Sequence, residues 1–242
     1  MVSSTPRASR SETAERMLEA AAALLRTGGV DAVSTRAVAA AARIQPPTIY
    51  RQFGDKEGLL DAVVGHVLGK YLQTKRGAVL TDDPVKDLHE SWDLHVNFGL
   101  THPDCYLLAY VQPHPGKMPS LARETIDLLQ QMIARIADAG LLRMSVKRAT
   151  ELMHAAAVGY VVSQIRVPPE ERDPQLSEIA WQNATARIIT GSSAQRSAPS
   201  DLAGRAVALR EALRGNADGG LTPAERKLMA EWLDRLADQA DS

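Results

Sequence analysis

Cysteine and aromatic residues are scarce in this chain of 242 residues, and each shortage narrows what the protein can be. One cysteine, Cys105, excludes an internal disulfide and a multi-cysteine metal site. No apolar run reaches about 18 residues, so no membrane span is predicted, and a signal peptide's apolar core is missing, so we expect a cytoplasmic location. Aromatics make up 4% of the chain while alanine and leucine abound, and this composition predicts an all-α fold.

The motifs of common enzymes are also missing, and we expect a protein without catalytic residues. The sequence contains no G-x-S-x-G, no H-E-x-x-H and no glycine-rich loop that could cradle a phosphate. Two patterns raise the question of a metal ion. Four histidines and the cysteine lie close in sequence, but their spacing fits no metal template: His89, His95, His102, Cys105 and His114. Residues 214–225 resemble a calcium loop, but Arg214 stands where its first carboxylate belongs. We therefore predict no metal and no cofactor.

Helical periodicity divides the chain into eleven predicted helices and several connecting segments. We expect a flexible basic leader at 1–10, a small helical unit at 11–55, a larger helical body at 56–191, a linker at 192–200 and a helical pair at 201–242. The helices are predicted at 11–27, 36–42, 47–53, 56–76, 84–101, 104–111, 120–139, 146–167, 175–190, 201–214 and 223–240. Gly28 and Gly29 are predicted to end the first helix, and a capping box at Thr222 to begin the last.

The stretch 35–60 has the pattern of a helix-turn-helix. Ser34 or Thr35 can cap a short helix, and Pro46 and Pro47 end it and begin the next. In the second helix Ile49 and Phe53 form a buried stripe. Its opposite side is left to hydrogen-bonding side chains, namely Thr48, Tyr50, Arg51 and Gln52.

These residues resemble the TetR-like transcriptional regulators, whose reading head ends in a tyrosine, an aromatic residue, a lysine at a helix start and paired leucines. The matching residues are Tyr50, Phe53, Lys56, Leu59 and Leu60, and the resemblance extends over roughly 12–64. It implies a three-helix DNA-binding head joined to a larger helical body that binds a ligand and dimerises. One departure is Arg43, which stands where the family usually has glycine in the turn. If this position has a positive φ, arginine is strained there by roughly 1 kcal/mol.

The resemblance also implies which side chains contact double-stranded DNA. Tyr50 and Lys56 would touch phosphates, while Thr48, Arg51 and Gln45 would face base edges. The full predicted set is Thr35, Arg36, Gln45, Pro46, Thr48, Tyr50, Arg51 and Lys56. Charge supports this placement, because residues 1–56 contain eight basic and five acidic residues although the whole chain has a net charge of -1. The leader, with Arg7 and Arg10, either follows phosphates or is simply solvated.

For the body, the resemblance implies a small-molecule effector and a homodimer that reads a two-fold related operator. Polar or aromatic residues on apolar stretches are the ligand-contact candidates: Trp92, His95, Tyr106, Tyr110, His154, Tyr160 and Gln164. Two strongly apolar helices supply candidates for the dimer interface: Met153, Ala157, Tyr160, Trp181 and Ile188. The leading hypothesis is a repressor released by its ligand. The alternative is a helical ligand-binding scaffold or carrier whose head no longer reads DNA.

Overall fold

The computed structural model describes residues 10–111, 120–190, 202–215 and 220–238, and all regular structure in these ranges is helical. The helices are α1 (Arg10–Ala32), α2 (Thr35–Ala42), α3 (Pro46–Phe53), α4 (Lys56–Arg76), α5 (Pro84–Thr101), α6 (Pro103–Tyr110), α7 (Ser120–Asp138), α8 (Val146–Ile165), α9 (Leu176–Ala186), α10 (Leu202–Gly215) and α11 (Pro223–Ala237). A 3-10 turn, Pro169–Glu171, follows α8. The all-α prediction is confirmed. The predicted leader up to residue 9 and the predicted linker lie outside the described residues.

The chain divides into two compact units. The first comprises residues 1–77 and 98–123, and it therefore contains α1 to α4, the last turn of α5, α6 and the start of α7. Within it α1 packs on α2, α4 and α6, and α3 packs between α2 and α4. Its core is formed by apolar side chains of these helices, among them Met17, Leu25, Val38, Ile49, Leu59, Leu68 and Tyr106. The predicted three-helix head is thus packed in one unit with α4 and α6.

The range given for α1 covers two helical segments that meet at a kink. Gly29 has φ 67° and ψ −168°, which interrupts the helix, but helical structure then continues to Ala32. The glycine pair was predicted to end the helix at residue 27, because glycine with positive φ is the usual helix terminator. Gly29 has this positive φ, and Val33 beyond the second segment is fully buried. The first helical segment therefore ends at the glycine pair, as predicted, and a short second segment continues to Ala32.

The second unit comprises residues 78–97 and 124–242. A buried ion pair joins α5 to α7, because Arg135 donates from Nη1 to Asp87 at 2.5 Å and Asp87 is only 3% exposed. The backbone N–H and the hydroxyl of Thr81 donate to the same carboxylate at distances of 2.7 to 3.1 Å. The guanidinium and these donors hold the pKa of Asp87 below its ordinary value. This cluster fixes the loop before α5.

An aromatic cluster packs α9 against α5 and α8. The Trp92 indole N–H donates to Ser177 at 3.1 Å, and the His89 ring stacks on Trp181 with ring centroids 4.6 Å apart. The predicted helix at 175–190 is wrong at its end, since α9 stops at Ala186. The following residues instead pair with the loop after α7, where Leu142 and Ile189 form an isolated antiparallel bridge. This tertiary pairing competes with further helical turns.

The C-terminal helical pair docks within the second unit. Asp238, at the end of α11, accepts hydrogen bonds from the backbone N–H and the hydroxyl of Ser145 at 3.1 and 2.9 Å, while its own carbonyl accepts from Arg148 at 2.6 Å. Ser145 is the N-cap of α8, so the tail is tied to the start of that helix. The predicted capping box is confirmed, with Thr222 and Glu225 bonded reciprocally. Glu225 therefore serves as a cap, and residues 216–219 of the supposed calcium loop lie outside the described residues.

Membrane spans and metal clusters are both missing from residues 10–111, 120–190, 202–215 and 220–238. None of the helices there is both long and apolar enough to cross a membrane. In the same part of the chain, no group of three histidine, cysteine, aspartate or glutamate side chains comes close enough to hold a metal ion.

Candidate nucleic-acid interface

The turn between α2 and α3 is a Schellman motif in which arginine takes the place of glycine. Ser34 caps α2 by accepting from the backbone N–H of Ala37 at 3.1 Å. At the other end Ile44 donates to the carbonyl of Ala39 at 3.0 Å, and Arg43 donates to that of Ala40 at 3.2 Å. This pair of hydrogen bonds needs a left-handed residue between them. Arg43 supplies it with φ 54° and ψ 51°.

Arg43 is the only residue other than glycine with a positive φ in the part of the chain that the structure describes. An L-residue in this conformation costs about 1 to 2 kcal/mol because its Cβ crowds the following carbonyl. The turn keeps the geometry expected for glycine and places an exposed guanidinium at the junction of the two helices. Backbone strain of this kind is found most often at functional sites.

The second helix of the motif presents its polar side to solvent. Ile49 is fully buried and Phe53 half-buried, while Tyr50, Arg51 and Gln52 are exposed and Thr48 is half-buried. At 100° per residue, Arg51 lies about 180° around the helix from the mean direction of Ile49 and Phe53. The helix starts at Pro46, one residue before the predicted start. Gln45, its N-cap residue, makes no side-chain capping hydrogen bond, so its amide is not used to begin the helix.

Tyr50 and Thr35 lie together although fifteen residues separate them. Their hydroxyl oxygens are 3.1 Å apart, which joins the first residue of α2 to the middle of α3. Tyr50 remains 54% exposed, so the contact orients the phenol without burying it. Two residues predicted from different helices to contact the DNA backbone are therefore brought to one place.

The start of α4 is held tightly against the end of α3. Asp55 caps α4 by accepting from the backbone N–H of Gly58 at 2.8 Å, and Lys56 follows as its exposed first residue. A Cβ at position 58 would stand 2.2 Å from the carbonyl oxygen of Phe53, so this position requires glycine. Sequence reasoning missed Gly58. A glycine three residues after a helix cap was the only available signal.

The exposed charge of this surface is mainly positive. Residues 35–56 contain four basic residues, namely Arg36, Arg43, Arg51 and Lys56, against one acidic residue, Asp55. All four basic side chains are exposed. Within residues 10–111 the structure shows no ion pair for any of them. Unpaired cations beside two helix N-termini give a surface suited to a polyanion. We call residues 34–58 the reading surface.

The ligand-contact candidates fall into two groups, one in each unit. In the first unit the Tyr106 and Tyr110 rings lie 4.7 Å apart. In the second unit the Trp92 and Tyr160 rings lie 6.1 Å apart. The remaining candidates also lie in the second unit: His95 and Gln164 are buried, and His154 is half-buried.

The candidates for the dimer interface are mostly core residues of the single chain. Met153, Ala157, Trp181 and Ile188 are between 1% and 7% exposed, and only Tyr160 is half-buried. This burial assigns the four to the chain's own core. The sequence could not show this, because a pattern of apolar residues does not distinguish a face covered by the same chain from one covered by a partner. The exposed apolar surface of these helices is formed instead by other residues, since Leu152 is 46% and Ile179 is 45% exposed.

The thiol of Cys105 lies in the core and is not activated. It is buried, and burial together with the neighbouring Asp104 raises the pKa of its thiol to about 12. The thiol is therefore protonated at neutral pH, and a protonated buried thiol is a poor nucleophile.

The fold and the reading surface together define a class of protein. It is a helix-turn-helix protein in which the motif is part of a longer all-α chain. Comparison with known proteins is consistent with that class. Residues 17–63 match the family model described as "Bacterial regulatory proteins, tetR family". The helix-turn-helix part of the chain is thus similar to that of the TetR family. No curated protein is similar enough in sequence to count as a relative.

Solved structures give the same fold. A TetR-family transcriptional regulator of Vibrio parahaemolyticus is 21% identical, with 74% of this chain and 99% of that chain covered and a TM-score of 0.57. A regulator of the TetR/AcrR family from Thermobifida fusca is 22% identical, with coverage of 71% and 95% and a TM-score of 0.56. The fatty acid degradation regulator FadR of Bacillus halodurans is 15% identical, with coverage of 76% and 96% and a TM-score of 0.57.

Proposed function

We propose that this protein is a DNA-binding transcriptional regulator, a homodimeric repressor that a small-molecule effector releases from its operator. The observation that carries the proposal is the direction of Arg51, which points away from the core of its own unit on an exposed two-turn helix. A helix of this kind can enter the major groove, where each base pair presents a distinct set of hydrogen-bonding groups.

The reading surface divides into side chains that position the protein and side chains that read bases. Thr35 and Lys56 are the first residues of α2 and α4, and Tyr50 lies against Thr35. These three positions suit phosphate contacts. Arg51 can bond bidentately to guanine, and Thr48, one turn earlier, lies about 60° from it around α3. Gln45 precedes the first turn of α3, where its exposed amide can reach an adenine. Arg36 and Arg43 add positive charge beside the duplex. These roles are assigned by chemistry and exposure.

Dimerisation is supported by a surface on α8 and α9, which pack together within the second unit. The outward face of α8 is apolar or small, with exposed Leu152, Ala155 and Gly159, and Ile179 of α9 is exposed as well. Small residues let two helices approach closely, and an identical surface on each chain gives the isologous contact of a two-fold dimer. One reading surface covers one half-site, so a dimer reads a palindrome.

Fluorescence anisotropy with labelled genomic fragments tests the proposal. We expect sequence-selective binding at sub-micromolar protein that weakens steeply as salt is raised, because phosphate contacts release counterions. Arg51→Ala is expected to reduce the preference for the operator over random DNA, whereas Lys56→Ala reduces affinity for both. Lys147→Ala, an exposed cation at the start of α8, serves as the control and leaves both affinities unchanged.

Two results would contradict the proposal. If no fragment binds selectively, the reading surface has no operator, and the alternative of a ligand-binding scaffold with a silent head replaces it. If Arg51→Ala and Lys56→Ala reduce specific and random binding by equal factors, α3 does not read bases.

A further inference from the structure

Helix α11 has two apolar faces, and its own chain covers only one of them. Leu233 and Ala237 are buried on the inner face. On the outer side Leu228 is 44% and Trp232 is 51% exposed, although the chain's other two tryptophans are buried. A surface helix normally has one apolar face, and an exposed tryptophan is typical of a protein contact. The outer face of α11 therefore needs an explanation beyond the packing of a single chain.

A charged residue stands at each end of the outer apolar pair. Glu225 precedes Leu228 by three residues, and Arg235 follows Trp232 by three residues. At 100° per residue these four side chains lie within an arc of about 80°, so they form one stripe along α11. We call Glu225, Leu228, Trp232 and Arg235 the tail stripe. Its order is acid, apolar, apolar, base, and its spacing of three, four and three residues is the same in both directions.

Both charged side chains of the tail stripe are exposed. One carboxylate oxygen of Glu225 accepts from the backbone N–H and the hydroxyl of Thr222 at 2.8 and 2.7 Å. These hydrogen bonds hold the pKa of Glu225 below its ordinary value, so this side chain is charged at neutral pH. Arg235 donates from Nε to the carbonyl of Glu231 at 3.4 Å. Within the described parts of the second unit no carboxylate forms an ion pair with Arg235. Its charge is therefore available to a partner.

Contacts at other positions of α11 hold the tail stripe in place. The Nε of Arg210 in α10 lies 3.4 Å from a carboxylate oxygen of Asp234. At the end of α11, Asp238 accepts from the backbone N–H and the hydroxyl of Ser145. The surface is thus ordered before a partner arrives, and less conformational entropy is lost when one binds.

We propose that the tail stripe is a contact between copies of this chain, in which α11 of one dimer lies antiparallel to α11 of another and joins the two dimers into a tetramer. In this arrangement Glu225 faces Arg235 of the second copy, and Leu228 faces its Trp232. A parallel arrangement would instead place equal charges side by side. A two-fold contact requires a self-complementary surface, and the tail stripe has this property. The contact rests on the proposed function, because it needs the dimer formed through α8 and α9.

The size of the contact explains why it joins dimers and not single chains. Two half-exposed apolar side chains on each helix bury on the order of a few hundred Å², whereas a stable interface needs about 1,000 Å². One such contact is too small to pair monomers at micromolar concentration. Between two dimers it forms twice, and the second contact is intramolecular once the first exists. A tetramer carries four reading surfaces, which is enough for two operators.

Sedimentation velocity of the full chain without DNA tests this contact. We expect the wild type at tens of micromolar to sediment as a tetramer that dissociates into dimers on dilution. Leu228→Glu should be a dimer at the same concentration, because it places unpaired carboxylates in the apolar centre of each contact. Arg235→Glu should raise the dissociation constant of the tetramer by about a hundredfold, since the tetramer contains four Glu–Arg pairs and one exposed pair contributes about threefold. The control Lys227→Glu makes the same charge change about 120° around α11 and should leave association unchanged.

A mixture of two charge variants separates a contact between copies from an effect within α11. Glu225→Lys leaves the tail stripe with two basic ends, and Arg235→Glu leaves it with two acidic ends. Each variant alone should remain a dimer, because equal charges then face each other in every contact. An equimolar mixture should regain the tetramer, since basic ends can then face acidic ends. Each chain has the same internal contacts alone and in the mixture, so altered helix stability cannot produce this recovery.

Several results would overturn the proposal. It fails if the wild type stays dimeric at hundreds of micromolar, if Leu228→Glu or Arg235→Glu leaves a tetramer intact, or if the equimolar mixture stays dimeric. It also fails if Arg235→Glu gives monomers, since the tail stripe would then belong to the dimer interface itself. A dimer that still selects its DNA would leave the regulator account standing. A tetramer that selects no DNA fragment would instead keep the contact and remove the regulator.

Discussion

Replacement of Arg43 by glycine and by alanine separates the strain of the turn from the charge that the turn carries. Both variants remove the guanidinium, but only glycine removes the Cβ that crowds the backbone at φ 54°. The left-handed conformation costs about 1 to 2 kcal/mol for an L-residue. The glycine variant is in turn destabilised by about 0.4 to 1 kcal/mol, because glycine makes the unfolded chain more flexible.

The net expectation is that Arg43→Gly is more stable than Arg43→Ala by about 1 kcal/mol, which corresponds to a melting temperature about 2 to 4 °C higher in a chain of this size. Arg43→Ala keeps both the strain and the hydrogen bonds of the Schellman motif, so its stability should equal that of the wild type. Urea unfolding followed by circular dichroism gives these differences. Equal stability of the glycine and alanine variants would refute the strain argument.

DNA binding gives the other half of the test. If Arg43 contacts a phosphate, both variants lose the same affinity, and the slope of log K against log salt becomes shallower by about 0.9 in each. An affinity loss confined to glycine would instead show that the rigidity of the turn, and not its charge, supports binding. Unchanged affinity in both variants would remove Arg43 from the interface.

Four further predictions concern separate parts of the molecule. Asp87→Asn should lower the urea midpoint at pH 7. Because folding lowers the pKa of Asp87, this carboxylate stabilises the fold above the ordinary carboxyl pKa, and the stabilisation is lost as pH falls through the lowered pKa. The urea midpoints of the variant and the wild type should therefore become equal in acid. Asp238→Ala should speed amide hydrogen exchange in the first turn of α8, and unchanged exchange would mean that the tail does not hold that helix. Leu152→Arg should give a monomer in light scattering with unchanged helix content in circular dichroism, because the side chain is exposed; a persistent dimer places the interface elsewhere. Thr35→Val and Tyr50→Phe should each weaken binding to specific and random DNA by about fivefold, as expected for one lost hydrogen bond, and a loss on specific DNA alone would contradict phosphate contacts.

Local chemistry explains which helix ends could be predicted. Asp55, Ser145 and Thr222 each cap a helix from within the same turn, and α4, α8 and α11 begin where their sequence signals place them. The end of α9 was not predictable, because it depends on pairing with a loop more than forty residues earlier.

Some residues of the site could likewise be predicted from local sequence and others could not. Tyr50, Arg51 and Lys56 carry a spacing that identifies them within a short motif, and the structure places all three on the exposed reading surface. Gly58 could not be found from spacing, since its importance comes from the backbone carbonyl of Phe53, which leaves no room for a Cβ. Apolar periodicity likewise identified α8 as a helix that must be covered. It could not tell which of its faces its own chain covers.

In vitro selection of DNA from a random library, carried out in parallel for the wild type, Arg51→Ala and Lys56→Ala, tests the central claim most directly. The account predicts a two-fold related motif for the wild type, the same motif with weaker retention for Lys56→Ala, and loss of preference at one base pair in each half-site for Arg51→Ala. An Arg51→Ala motif identical to that of the wild type, or no motif at all, would contradict the claim that α3 reads the major groove.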